Sequence, residues 1–221
     1  MTYWFEQVLL EGGNRNFAYA VGCTNHRVAA LIDPAFQPDR MVQLARDQGM
    51  RITHLLNTHG HDDHTNGNTR VRELVPDVIL GANPVDVPGP DLELHGGESV
   101  QLGDVTIRAI ATPGHTPGHL CFLINEEKLV AGDVLFVGKI GGTGAGFKRS
   151  DPRVQHHSLF EVLMKLPDAV EVWPGHNFGV APSSTIAHEK ATNPFILRPR
   201  FEDFMWLKDN WAQYREEHGI K

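Results

Sequence analysis

The stretch Thr58-His59-Gly60-His61-Asp62-Asp63-His64 constrains this chain more than any other feature. His59, His61, Asp63 and His64 fall within six positions. Three imidazoles and a carboxylate so close together suit a borderline divalent ion such as zinc. The spacing argues against a helical site, because residues two apart on a helix point to different sides. A strand end or a tight loop can aim them together. The apolar run Ile52-Thr53-His54-Leu55-Leu56 reads as the buried strand that delivers such a loop.

Three further candidates follow. His115 sits in Thr112-Pro113-Gly114-His115-Thr116-Pro117-Gly118-His119, Asp133 in Val130-Ala131-Gly132-Asp133-Val134, and His176 in Val172-Trp173-Pro174-Gly175-His176. Each borders an apolar run and has glycine beside it, which frees the backbone to turn sharply. The candidates therefore sit where strands give way to loops, a common place for chemistry.

The ordered set T-H-x-H-x-D-H, T-P-G-H-T-P-G-H, G-D and P-G-H resembles the metallo-β-lactamase superfamily, from about Asn16 to about Pro194. That resemblance implies an α/β fold of a particular kind, a four-layer αβ/βα sandwich. Periodicity alone supports only α/β. The resemblance also implies two metal sites. His59, His61 and His115 would form the first, and Asp63, His64 and His176 the second, with Asp133 bridging. Two divalent ions are expected, zinc foremost, with iron compatible. Two cations held close together lower the pKa of a shared water and give a hydroxide nucleophile near neutral pH. His61 and Asp63 are the expected catalytic residues. Asp63 would orient the nucleophile or pass a proton to the leaving group.

Two subfamilies are most similar: glyoxalase II, a dinuclear thioester hydrolase, and the persulfide dioxygenases, which use one iron. The expectation is a glyoxalase II-like hydrolase of a thioester or similar activated ester, acting through hydroxide on the metals. The alternative is a mononuclear iron persulfide dioxygenase using the same ligands. Both subfamilies usually carry a basic residue where this chain has Gly142, and a tyrosine where it has Phe178. Phenylalanine lacks the hydroxyl. Lys139, Lys148 and Arg149 are the nearby cations that can substitute, or they form a solvated basic face. The glycines from 141 to 146 lack the order of a phosphate loop and read as a mobile flap.

At 221 residues the chain is expected to form one domain, 1–221, with a C-terminal helix at about 199–218. That helix can cover the core or pair two copies into a homo-oligomer. A net charge of -7 without a Lys/Arg stripe argues against nucleic acid. No apolar stretch reaches the ~18 residues of a membrane span. No secretion signal is read at the start, so a cytoplasmic enzyme with a small-molecule substrate, such as a thiol ester, is expected. Cys23 and Cys121 read as buried free thiols, with a disulfide between them left open.

Period-two patterns place strands at Phe5–Leu9 and Phe17–Val21, and apolar runs add Val28–Ile32, Val78–Leu80, Val105–Ala109, Leu120–Ile124, Leu129–Ala131 and Val170–Val172. Met41, Leu44 and Ala45 mark a helix stopped by Gly49, and Thr69 to Val75 a second. Pro152 to Leu166 fits an amphipathic helix with Val154, Leu159, Val162, Leu163 and Leu166 inward. Ser183-Ser184-Thr185 is a cap for a helix to about Ala191. His26, His95, His188 and His218 read as solvated, His156 and His157 as structural. His54 and His119 could each support the metal motif or simply pack.

Overall fold

The computed structural model describes residues 3–220. The first sheet comprises β1 (Tyr3–Leu9), β2 (Phe17–Cys23), β3 (Val28–Ile32), β4 (Arg51–Leu56), β5 (Ile79–Ala82) and β6 (Leu92–Glu93), in that spatial order. The first three strands pair antiparallel, and β3 to β6 run parallel. Three helices belong to this half: α1 (Pro38–Asp47), α2 (Asp62–Thr65) and α3 (Asn68–Leu74). The chain continues through β7 (Ser99–Leu102), β8 (Val105–Ala111), β9 (Leu120–Ile124) and β10 (Lys128–Gly132). A small hairpin follows, β11 (Leu135–Phe136) with β12 (Lys139–Ile140). Then come α4 (Pro152–His157), β13 (Glu171–Pro174), β14 (Ser184–Thr185), α5 (Ile186–Thr192), α6 (Phe201–Asp209) and α7 (Trp211–Glu217). The second sheet has the order β14-β13-β10-β9-β8-β7.

Alternation within single strands builds the layers. On β2, Phe17, Tyr19 and Val21 face the second sheet and pack with Ile107, Phe122 and Val130, while Ala18 and Ala20 face Met41, Val42 and Ala45 of α1. On β9, Phe122 and Ile124 turn to the first sheet, and Cys121 and Leu123 pack with Leu159, Leu163, Phe204 and Leu207. Successive strand residues point to opposite faces, so both sheets are covered on both sides. The result is helix, sheet, sheet, helix, the sandwich expected from the sequence motifs. Full burial of both faces explains why strands such as β3 and β9 read as apolar runs; β2, whose period-two pattern suggests a half-buried strand, is buried on both faces because Ala18 and Ala20 pack on α1.

Two helical expectations are corrected. From Pro152 to Leu166 the chain begins as α4, widens into a π-helical turn over Ser158–Val162 and tightens into a 3₁₀ turn over Leu163–Lys165. A uniform 100° step no longer holds across the widened turn. Leu159 and Leu163 are buried as expected, but Val154, in the first turn capped by Asp151, is 38% exposed. The C-terminal helix is two helices, α6 and α7, broken at Asn210. Asn210 leaves helical geometry at φ -108° and ψ 15°, with its side chain and its own amide both bonding the Trp206 carbonyl, at 2.8 and 3.0 Å. The Thr185 cap is present, accepting from the His188 amide at 3.1 Å. Strands β6, β7, β11, β12 and β14 have no counterpart among the sequence expectations; most are two residues long, too short for periodicity to register. Cys23 and Cys121 are both free and buried.

Candidate metal centre

Four strands deliver the predicted residues to one end of the sandwich. His59, His61, Asp63 and His64 follow β4, His115 follows β8, Asp133 follows β10, and His176 follows β13. The two halves are tied there by a bridge between Asn16 and His176. All seven predicted residues converge. His61 Nδ1 lies 3.0 Å from His59 Nε2 and 3.1 Å from His115 Nε2. His64 Nε2 lies 3.2 Å from His176 Nε2. Asp133 reaches toward both groups, with Oδ1 3.4 Å from His64 Nε2, and Oδ2 3.2 Å from His176 Nε2 and 3.7 Å from His115 Nε2. Asp63 Oδ2 is 3.4 Å from His176 Nε2. The triads His59–His61–His115 and Asp63–His64–His176 each bring their donor atoms within 4.8 Å of one another, close enough to hold a metal ion.

The imidazoles are aimed by their other nitrogens. His115 Nδ1 donates to the Gly142 carbonyl at 2.7 Å, and His176 Nδ1 to the Asn14 carbonyl at 2.9 Å. His64 Nδ1 donates to Asp33 Oδ2 at 3.0 Å. His59 Nδ1 is 3.0 Å from the Thr58 hydroxyl, which itself donates to Asp33 Oδ2 at 2.6 Å. Each of these rings therefore presents Nε2 inward, whereas His61 presents Nδ1. Such partners fix the tautomer and orientation of a ligand histidine.

Asp133 Oδ1 is buried and has no hydrogen-bond partner. A carboxylate oxygen left bare at depth is costly, and a cation is the partner its surroundings are built for. Burial opposes ionisation of Asp133, but the His64 and His176 imidazoles outweigh it and hold the carboxyl well below its usual range. Burial and the His64 charge push His59 well below the ordinary imidazole value, and burial also lowers His115. Neutral His59 and His115 and an ionised Asp133 match the protonation states a metal requires, whereas the Asp133 carboxylate favours the charged forms of His64 and His176, whose protons a metal would displace. Close packing shapes the cradle too. A Cβ on Gly175 would stand 2.3 Å from Asp133 Oδ1, so only glycine fits.

Three supporting residues were not singled out from the sequence as site residues. Asp33, which directly follows β3, is buried and binds His64, the Thr58 hydroxyl and the Thr58 amide. It sits at φ 50°, a strained position for a non-glycine residue. Asn16 donates to Asp63 Oδ2 at 3.0 Å. Gln155 donates to the Gly141 carbonyl at 3.0 Å, beside the carbonyl that holds His115. His119, left open between support and packing, does support the site: its Nε2 accepts from the Asp133 amide at 3.1 Å. His54 bonds its neighbour Thr53 and reaches no metal candidate. His26 is exposed beside Asp104, and His156 packs on Phe160, Phe201 and Phe204.

The positions that depart from the subfamily pattern have structural jobs. Gly142 supplies the carbonyl that aims His115, so the start of the glycine-rich segment is pinned rather than a free flap. Phe178 stacks on His176, centroids 4.5 Å apart and 9° from parallel. Lys139 donates to the Phe178 carbonyl at 2.6 Å. Beside His61 opens a cleft of about 340 Å³, bordered by Asp86, Thr116, Phe147, Lys148 and Arg149. Among the described residues, no helix is long and apolar enough to cross a membrane.

Known proteins resemble this chain in sequence and fold. The family model of the metallo-beta-lactamase superfamily matches residues 12–176. The chain is 31% identical over 196 residues to the human mitochondrial persulfide dioxygenase ETHE1, covering 88% of this chain and 76% of that protein. It is 33% identical over 244 residues to a hydroxyacylglutathione hydrolase of Synechococcus sp., covering 93% and 94%. The crystal structure of ETHE1 from Myxococcus xanthus superposes with a TM-score of 0.87 at 29% identity, covering 94% of this chain and 91% of that one.

Proposed function

This chain belongs to the metallo-beta-lactamase superfamily, and on that premise we propose that it is a metal-dependent hydrolase resembling glyoxalase II, cleaving a small thioester or similarly activated ester. One observation carries the reading: two complete triads, His59–His61–His115 and Asp63–His64–His176, flank a single carboxylate, Asp133. When bound there, two divalent ions, zinc in this reading, would polarise the substrate carbonyl and acidify a shared water.

The chain's own residues supply the rest. Asp133, ionised and buried, would hold both triads' charge together. The Asp63 side chain is 36% exposed, unlike the buried His59, His64, His115 and His176, so it faces the side from which substrate would enter. Fixed by Asn16, it would orient the attacking group, or take the proton from that group and pass it to the departing thiolate. Phe147 near His115, and Phe136 and Phe178 against His176, give the site apolar walls. Lys148 and Arg149 border the cleft beside His61, which favours a substrate carrying a carboxylate. Any glutathione carboxylate would fall first to Lys148, because Gly142 has no side chain, Lys139 is engaged by the Phe178 carbonyl and Arg149 donates to the Val85 carbonyl. The reading is of a cytoplasmic enzyme acting on a small molecule, without nucleic acid or membrane.

A second reading rests on the similarity to the ETHE1 proteins. An iron-dependent persulfide dioxygenase would need only His59, His61 and His115, or a facial set of His59, His115 and Asp133. The test is to assay protein of measured metal content against S-acyl thioesters and, separately, for oxygen uptake with a persulfide. Thioester hydrolysis that is lost in His61→Ala supports the hydrolase. Oxygen uptake without hydrolysis replaces it with the second reading.

A further inference from the structure

At the opposite end of the sandwich, two turns meet. Cys23 ends β2, His26 lies in the turn to β3, and Asp104 lies in the turn between β7 and β8. Strand β2 starts beside Asn16, which touches Asp63, and its seven residues at about 3.3 Å each span roughly 20 Å. The cluster is thus separate from the seven-residue centre. It also joins the two sheets, since β2 and β3 belong to the first and β7 and β8 to the second.

Three different metal-binding groups converge there. His26 Nε2 is 3.3 Å from Asp104 Oδ1, and Cys23 Sγ is 4.0 Å from Asp104 Oδ2. One donor atom from each of the three residues lies within 4.8 Å of the others. Bonds of about 2.0–2.3 Å to a tetrahedral ion would place ligand atoms about 3.3–3.6 Å apart. The His26–Asp104 separation already matches this, and the exposed His26 and Asp104 side chains would have to close on Cys23 to complete the set. The cluster is also prepared for a cation. The Asp104 amide donates to Cys23 Sγ at 3.4 Å, which fixes the sulfur beside the carboxylate. Asn25 donates to Asp104 Oδ2 at 2.8 Å and, with His26, holds that carboxyl below its usual range. The His26 ring lies over Gly103, where a Cβ would stand 2.4 Å from it, so the glycine lets the ring approach the turn. Cys23 is buried while the His26 and Asp104 side chains are 55% and 39% exposed, so an ion would enter from solvent and complete its shell with water.

We propose that Cys23, His26 and Asp104 form a second, independent site for a thiophilic divalent cation such as zinc, clipping the two sheets together at the end remote from the catalytic centre. Thiolate, imidazole and carboxylate together select such an ion over magnesium or calcium. The site makes no demand on the reaction assigned above.

Cobalt distinguishes the two sites, because the seven-residue centre contains no sulfur. The other cysteine, Cys121, is fully buried, bonded to Thr112, and its thiol is pushed up to about 12 by burial. Metal-free full-length protein would be titrated with cobalt(II) and followed by absorbance. The expected result is a thiolate-to-cobalt charge-transfer band that appears in the wild type, disappears in Cys23→Ser, is lost or reduced in the surface variant His26→Ala, and is bleached by added zinc. Catalytic activity of both variants would be unchanged. A wild type without the band overturns the proposal, as does a band that persists in Cys23→Ser.

Discussion

Asp33 Oδ2 lies 3.0 Å from His64 Nδ1 and 2.6 Å from the hydroxyl of Thr58, the residue that orients His59. One buried carboxylate thus aims a histidine in each of the two triads. Asp33→Asn keeps the shape but replaces an acceptor with a donor at one of its two oxygens. Metal affinity is expected to fall about 10- to 100-fold, with the fold retained. Titration calorimetry against circular dichroism checks this. Unchanged affinity would reduce Asp33 to a structural turn residue.

Gly175→Ala tests the closeness of the cradle. The added methyl would meet Asp133 Oδ1 at 2.3 Å, and the backbone around it is fixed by the Gly175 amide bonding the Gly132 carbonyl at 2.7 Å. Overpacking of this kind costs about 1–3 kcal/mol. Displacing Asp133 should cost more function than stability, with bound metal falling below the wild-type stoichiometry. Metal analysis on folded protein is the check.

Gln155 links the C-terminal helices to the site. Fully buried, it donates to the Gly141 carbonyl and accepts from Lys208 at 3.4 Å. Gln155→Ala leaves those partners unpaired, costing about 1–3 kcal/mol. It also loosens the segment whose Gly142 carbonyl holds His115. Urea denaturation should show the loss of stability, and the rate should fall at saturating substrate. Loss of stability with an unchanged rate would show that His115 is held without Gln155.

The site was more legible than its support. Metal ligands announce themselves as residue types in tight local order: His59 to His64 are adjacent, and His115, Asp133 and His176 each follow a strand and carry a glycine. Their orienting partners do not. Asp33 is 31 residues from His64, and Gln155 is 14 from Gly141; nothing in an aspartate after an apolar run, or a glutamine in a helix, reports that pairing. The fold shows the same division. Buried strands such as β3 and β9 were visible as apolar runs and β2 as an alternating pattern, whereas the π-helical turn at Ser158 and the break at Asn210 are local departures that periodicity averages away.

The metal-free protein should reveal His64 through pH. Burial alone would depress this imidazole, but the carboxylates of Asp133, Asp33 and Asp63 outweigh it and hold it up at about 9, against 6.5 for the free side chain. A group raised on folding stabilises the native state fully below 6.5, and that contribution is lost as pH rises through about 9. The stability advantage of metal-free wild type over His64→Gln is therefore expected to shrink across that window. Metal must displace the same proton, so affinity at the Asp63–His64–His176 triad should rise up to roughly tenfold per pH unit toward 9 and then level. Calorimetry in buffers of different ionisation enthalpy would count the proton released. Binding without proton release near neutral pH would mean that His64 is already neutral and that Asp133 does not charge it.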